Sequence, residues 1–254
     1  MHIQQVRNAT IIVHYAGKKF LVDPLLADKG LYDPFPAGIR EDLRNPIIDL
    51  PMSVYDIIKD VDAVILTHLH LDHYDDIAKA VLPKGTKVFV QNEEDAKQVE
   101  SDGFQQVEVL AEDTLFEGIQ LIKTKGEHGR GKDLLKMVGQ VCGVVFKHAN
   151  EKTLYLAGDT VWYEGVEKEI ISHTPEIIVL NAGNNIWHDL GSLIMGKEDV
   201  YEVHKAAPNA KIISVHMEAV NHWTLSRKEL KSFGEEKGFT SNLLVPEDGE
   251  SYTF

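Results

Sequence analysis

Residues 67–73 read Thr-His-Leu-His-Leu-Asp-His, which puts His68, His70, Asp72 and His73 within six positions. They follow directly on the apolar run 61–66, Val-Asp-Ala-Val-Ile-Leu, whose composition suits a buried strand. Side chains alternate along an extended chain, so His68 and His70 point the same way and can grip one metal ion. Asp72 and His73 fall where the chain turns towards a helix, and can reach a second ion beside the first. Imidazole and carboxylate make a borderline ligand set that suits zinc, and also manganese or iron. A polar loop with incidental histidines would rarely gather four such groups at the mouth of a buried strand.

Two ions need more donors than these, about three to five protein ligands each together with water. Three further residues sit where an expected strand ends. His128 follows Ile119–Thr124 and has glycines around it, Asp159 follows Thr153–Leu156, and His216 follows Lys211–Val215. Loops at strand ends hold functional groups on a rigid scaffold. His222, six residues beyond His216, competes with it for the last ligand position, or binds or protonates a substrate; a histidine near a helix start with no role fits as well. His2, His14, His148, His173, His188 and His204 lack a ligand-like setting. Trp162 and Tyr163 suit a pocket wall or the core, with the core favoured. Cys142 is the one cysteine, so no intrachain disulfide forms, and its apolar run makes it a small buried thiol.

The elements that must position these groups follow from periodicity and turn signals. Ala9–Ala16 and Lys18–Asp23 read as a hairpin around Gly17. Residues 24–51 hold five prolines, Pro24, Pro34, Pro36, Pro46 and Pro51, and form a long loop with Arg40 and Arg44 as its basic residues. It is either a lid-like insertion or a surface loop with solvated arginines. Val54–Lys59, Asp75–Leu82 and Glu93–Glu100 are expected helices, interleaved with strands at Asp62–Thr67, Lys87–Gln91 and Val107–Leu110. A second half repeats the order. Strands are expected at Ile119–Thr124, Val141–Phe146, Thr153–Leu156, Ile177–Leu180 and Lys211–Val215, with helices at Glu164–Ser172, Glu198–Ala206 and Ser226–Lys237. Leu243–Val245 and Ser251–Phe254 read as a closing hairpin around Pro246-Glu247-Asp248-Gly249. The duplicated order points to an α/β fold, an αββα sandwich of two mixed β-sheets with helices on the outer faces, in one domain spanning 1–254.

The order His-x-His-x-Asp-His, a lone His, Gly-Asp after a strand and a His after a late strand resembles the metallo-β-lactamase superfamily over nearly the whole chain. Asn-Ala-Thr-Ile-Ile-Val-His-Tyr-Ala-Gly-Lys-Lys-Phe-Leu-Val-Asp-Pro (8–24) and the Gly-Asp-Thr segment look closest to the branch of ascorbate-6-phosphate lactonase and related metal-dependent hydrolases. The resemblance implies His68, His70 and His128 on a first metal, Asp72, His73 and His216 on a second, and Asp159 bridging both. The motif is specific for the superfamily and poorly specific for substrate, since one fold hosts many chemistries.

Two close divalent cations, zinc in the first place, would lower the pKa of a shared water towards neutrality, so that hydroxide attacks a carbonyl or phosphoryl centre. Asp72 can orient the nucleophile, and His222 can protonate the leaving group. The expected activity is hydrolysis of an ester, lactone or similar bond in a small anionic molecule. A phosphodiesterase or nuclease, a redox iron centre and a non-enzymatic ligand sensor are the rivals. The formal charge of −14 opposes nucleic-acid binding. The chain has 43% hydrophobic and 26% charged residues and no apolar run of membrane-spanning length. The N-terminus reads as strand without a signal-peptide pattern, so a cytoplasmic location and no membrane partner are expected.

Overall fold

The computed structural model describes residues 1–254, the side chain of Asp189 excepted. The first half runs β1 (His2–Arg7), β2 (Thr10–Tyr15), β3 (Lys18–Val22), α1 (Val54–Ile58), β4 (Ala63–Ile65), α2 (Asp76–Val81), β5 (Lys87–Val90), α3 (Glu93–Ser101) and β6 (Gln106–Val109). The second runs β7 (Thr114–Phe116), β8 (Ile119–Lys125), α4 (Lys132–Val138), β9 (Cys142–Lys147), β10 (Leu154–Leu156), α5 (Glu164–His173), β11 (Ile177–Asn181), α6 (Lys197–Ala206), β12 (Lys211–Val215), α7 (Arg227–Lys237) and β13 (Leu243–Leu244), and β14 (Ser251–Thr253) closes the chain. Two seven-stranded mixed sheets result, ordered β14-β1-β2-β3-β4-β5-β6 and β13-β12-β11-β10-β9-β8-β7.

Three apolar layers hold this αββα sandwich together. Ile11, Val13, Phe20, Val22, Ala63 and Ile65 face Leu121, Val144, Phe146, Leu156 and Val179 between the sheets. The opposite faces of the same strands are also covered. Ile12, Leu21, Val64 and Val88 pack with Ile57, Ala78 and Val99 of α1, α2 and α3. Tyr155, Ile178 and Ile212 pack with Val166, Val203 and Leu230 of α5, α6 and α7. Burial on both faces explains why the strands read as continuous apolar runs rather than alternating ones. Trp162 and Tyr163 join this last layer, and Cys142 lies in the central one, where burial pushes its thiol up to about 12. Among the described residues no helix is long and apolar enough to cross a membrane.

Three features depart from the sequence reading. The short strand β7 and the glycine-flanked helix α4 carry too few periodic positions to announce themselves. The C-terminal strands are not a hairpin: β13 runs parallel to β12, whereas β14 pairs antiparallel with β1 on the other sheet. The turn between them crosses the edge of the sandwich because Arg227 clamps it. Its Nε donates to the Pro246 carbonyl (2.8 Å) and its Nη2 to Asp248 (2.6 Å), while Nη1 pairs with Glu218 (2.8 Å). The 24–51 loop is tied down by residues outside it, and of its two arginines Arg44 is exposed and Arg40 is not. The buried Arg7 guanidinium donates to the carbonyls of Leu25 (2.9 Å), Ala27 (2.7 Å) and Ile48 (3.0 Å). Arg40 donates to the carbonyls of Asn221 (3.2 Å) and Trp223 (2.6 Å), and Arg44 ties Asp33 to the carbonyls of Gly30 and Leu31 within the loop.

Candidate metal centre

The C-terminal ends of β4, β8, β10 and β12 meet at one edge of the sandwich and deliver His68, His128, Asp159 and His216 there. Gly158 makes the Asp159 turn feasible: it takes φ 68°, and a Cβ on it would press into the Cys142 carbonyl. His216 is held in the left-handed region (φ 59°), where the Asn8 carbonyl accepts its backbone N–H at 2.8 Å. The structure brings all seven expected ligands together. Donor atoms lie within 4.8 Å of one another in three overlapping groups: His68, His70 and His128; His68, His73 and Asp159; Asp72, His73 and His216. Asp159 stands between them, with Oδ2 3.2 Å from His73 Nε2, 3.6 Å from His128 Nε2 and 4.0 Å from His68 Nε2, and Oδ1 3.8 Å from His216 Nε2.

The protons on these rings are fixed from outside the cluster. The Thr67 hydroxyl donates its proton to Asp23 (2.6 Å), so it accepts from His68 Nδ1 (3.2 Å), leaving His68 Nε2 bare. The Val138 carbonyl accepts a hydrogen bond from His70 Nε2 (2.9 Å), which places the ring proton there and leaves His70 Nδ1 bare. His128 Nδ1 donates to the Leu193 carbonyl (3.0 Å), and His73 Nδ1 donates to Asp23 (2.9 Å). His68 Nε2 and His70 Nδ1 therefore face each other at 3.0 Å with no proton between them. Two converging lone pairs repel unless a cation sits beside them. Donors about 2.0–2.1 Å from a tetrahedral zinc lie roughly 3.3 Å apart. His73 Nε2 to His216 Nε2 and His216 Nε2 to Asp72 Oδ2 are both 3.2 Å, so the donor set fits such ions.

Burial holds the His68 and His128 imidazoles below their ordinary range, His128 at about 4, which keeps them neutral as ligands must be. Burial alone would raise Asp72 and Asp159, but it is outweighed by His73 and His216, and both carboxyls lie well below the usual range. Burial alone would lower His73; Asp159, Asp23 and Asp72 outweigh it and raise His73 well above the imidazole range. Without a metal, His73 thus holds a proton among three carboxylates, and a cation binding there replaces it.

His222 lies outside all three donor groups. It lines a pocket of about 240 Å³ with His70, Asp72, His128, Asp159 and Asn185 at its base and Phe35, Leu71, Met137, Val138, Trp187 and Leu193 on its walls. Its Nε2 meets the Asn185 amide at 3.2 Å, and Phe35 packs edge-on against its ring. Burial lowers it to about 4, and its Nδ1 has no hydrogen-bond partner within the chain. Trp162 and Tyr163 are not in this lining; Trp187 is the indole that is.

Asp23 was not singled out from sequence, although it follows β3 just as Asp159 follows β10. Its Oδ2 takes His73 and the Thr67 hydroxyl, and its Oδ1 takes the Thr67 N–H at 2.8 Å. Asn8, in the turn between β1 and β2, donates to the Asp72 carbonyl (3.0 Å), and Asn181 donates to Asp159 Oδ1 (2.6 Å).

Comparison with known proteins agrees with this geometry. A family described as the beta-lactamase superfamily domain matches residues 19–217. The UPF0173 protein YddR of Bacillus subtilis is 70% identical over 254 residues, the full length of both chains. The crystal structure of the isothiocyanate hydrolase from Delia radicum gut bacteria is similar at 44% identity and a TM-score of 0.95, over 100% of this chain and 99% of that one. That of a possible metal-dependent hydrolase from Veillonella parvula is similar at 40% identity and a TM-score of 0.97, with the same coverage.

Proposed function

This chain belongs to the metallo-β-lactamase superfamily, and on that premise we propose that it is a metal-dependent hydrolase of small neutral molecules, isothiocyanates first among them. The observation that carries the substrate class is the pocket. Its base is the donor cluster, its walls are apolar, and no lysine or arginine lines it among the described residues. Bound divalent ions would offset Asp72 and Asp159 at the base, but a charged group reaching beyond them, as in the small anionic substrate that the sequence reading expected, would meet apolar walls with no counter-charge. An isothiocyanate needs none, and the 44%-identical isothiocyanate hydrolase supports that choice. A volume of about 240 Å³ is below the roughly 300–1,000 Å³ of sites for drug-sized ligands, and it does not suit a nucleic-acid strand.

His68, His70 and His128 would hold one divalent ion, and Asp72, His73 and His216 a second, with Asp159 reaching both. Such ions supply Lewis acidity, polarising the substrate and making water more acidic. Zinc fits the donor types, and manganese or iron are the alternatives. The reaction adds water across the C=N bond of R–N=C=S, forming a C–O and an N–H bond. Breakage of the C–N bond then releases the amine R–NH2, with a second proton, and carbonyl sulfide. The walls hold R and exclude bulk water. His222, in the pocket lining, would hold or pass the proton that the departing nitrogen needs, and Asn185 and Phe35 fix its ring. Asp72 orients the attacking water.

An ester or lactone would present its acyl carbon to the same base, so the assay must compare the classes. Zinc- or manganese-loaded protein is offered benzyl isothiocyanate, neutral lactones, simple esters and a phosphodiester, with a chelated sample as control. Release of benzylamine that is lost on chelation and regained on metal addition is expected. Turnover of lactone or ester with inert isothiocyanate would overturn the substrate class, and binding without turnover of any class would favour a sensor.

A further inference from the structure

The substrate pocket has one stiff wall and one compliant wall, and we infer that the compliant one, Met137 on α4, gauges the size of the apolar group a substrate carries. This rests on the hydrolase reading and adds what decides among its substrates.

The stiff wall is the proline-rich loop bearing Phe35. Asn221, next to His222 and fully buried, spends its whole amide on this loop. Its Nδ2 donates to the carbonyls of Phe35 (2.9 Å) and Ile39 (3.2 Å), and its Oδ1 accepts from Phe35 N and Asn45 Nδ2, both at 2.9 Å. The Arg40 guanidinium, 4.0 Å from the centre of the Trp223 ring, adds its two carbonyl bonds. Moving Phe35 breaks several buried hydrogen bonds together.

The opposite wall has fewer ties: the Val138 carbonyl accepts from His70 Nε2 (2.9 Å) and, just past the helix, the Gln140 carbonyl accepts from Gln91 Nε2 (2.8 Å). α4 is seven residues long, too short to be stable as an isolated helix. It begins and ends at Gly131 (φ 91°) and Gly139 (φ 85°), conformations that favour glycine, and no side chain caps its first turn. Leu134 is its one buried residue and packs on Leu193 and Ile194. Behind it lies a cleft of about 640 Å³ flanked by Gln91, Lys123 and Leu135. The helix therefore has space on both sides and pivots where the Val138 carbonyl meets His70. Met137, half-exposed at the pocket mouth, is unbranched and adapts its shape at little cost. An apolar cavity of about 150 Å³ accepts benzene, so about 240 Å³ takes an aromatic ring with a short chain before this wall must give.

The test measures kcat/KM for methyl, allyl, benzyl, phenethyl and naphthylmethyl isothiocyanate on metal-loaded wild type, Met137→Ala and Met137→Trp. One methylene at an apolar wall changes selectivity by roughly tenfold or more. The ratio of phenethyl to methyl turnover should fall about tenfold in Met137→Trp, and the ratio of naphthylmethyl to benzyl should rise about tenfold in Met137→Ala. Ratios unchanged within about threefold in both variants, with an active wild type, would overturn the gauge and leave the hydrolase reading standing. If wild type turns over no isothiocyanate, that reading fails by itself. The gauge is then judged by calorimetric binding of benzyl and phenethyl alcohol, whose affinity ratio should still move in opposite directions in the two variants. Both substitutions fall on an exposed side chain, and thermal melting confirms that the variants fold.

Discussion

Replacing Asp23 by asparagine changes almost no volume and should still weaken metal binding, through protons alone. Asp23 is 1% exposed and accepts three hydrogen bonds: 2.8 Å from Thr67 N, 2.6 Å from Thr67 Oγ1 and 2.9 Å from His73 Nδ1. An amide can keep one acceptor, opposite the Thr67 N–H, and must then aim its NH2 at the other two groups. His73 can meet a donor only by baring Nδ1 and moving its proton to Nε2, the nitrogen 3.2 Å from Asp159 and from His216. A protonated Nε2 is no ligand. Groups that orient a metal-bound histidine are typically worth 10–100-fold in metal affinity, which is about 1.4–2.7 kcal/mol at 1.36 kcal/mol per decade. Thr67→Val removes the acceptor of His68 Nδ1 and one of the three donors to Asp23, leaves His73 Nδ1 on Asp23, and should cost less, about threefold. Metal affinity and stoichiometry are read by titration against a competing chelator, with nitrogen-resolved NMR reporting the His73 tautomer. If Asp23→Asn binds metal within about threefold of wild type, the argument from fixed protons is wrong. If it fails to fold, Thr67→Val carries the test.

Two other perturbations separate roles that sequence left open. His216→Ala should lose metal, because its Nε2 lies 3.2 Å from both His73 Nε2 and Asp72 Oδ2, whereas His222→Ala should keep metal and lose about 10²–10⁴-fold in kcat, the range for one general acid or base; elemental analysis beside kinetics decides, and metal loss in His222→Ala would reverse the assignment. Arg7→Met should leave three loop carbonyls without donors and Asp75 without its nearby charge, costing about 3–5 kcal/mol at about 1–3 kcal/mol for each buried acceptor left unsatisfied. Thermal melting should then show a drop of about 10 °C, and a loss under about 1 kcal/mol would mean that the 24–51 loop holds itself.

The residues that could be read directly were those whose neighbours in sequence fix their direction. His68, His70, Asp72 and His73 share one short segment, and His128, Asp159 and His216 each lie just past an apolar run. Asp23 satisfies the same strand-end rule, but it acts by accepting from Thr67 and His73, contacts that the local sequence does not show. Asn8 in a turn, Asn181 at the end of β11 and Asn185 in the loop beyond it are less telling, since an asparagine is ordinary in such places until its partner is known. The closing strands show the complementary failure. Two short apolar runs around a Pro-x-x-Gly turn favour a hairpin locally, but a hairpin would leave β1 and β12 with open edges. Pairing each strand with a different sheet satisfies both edges, and Arg227, from α7, stabilises the crossing.

Substrate class was the least legible property, for a physical reason. Phe35, Leu71, Met137, Trp187 and Leu193 come from four segments with no common period, and each alone reads as an ordinary loop or helix apolar residue. They become a wall only when α4 and the loop before α6 fold back towards the proline-rich loop, a long-range event invisible to local pattern. The arginines near the pocket do not line it: Arg40 and Arg44 are spent on backbone carbonyls, Asp33 and Trp223, and Arg130 on Asp199 and the Trp162 carbonyl. Basic side chains consumed in holding the scaffold leave the pocket walls without positive charge. The same bonds that remove Arg40 from substrate binding make the Phe35 wall stiff, so selectivity falls to the wall with fewer ties, α4 with Met137.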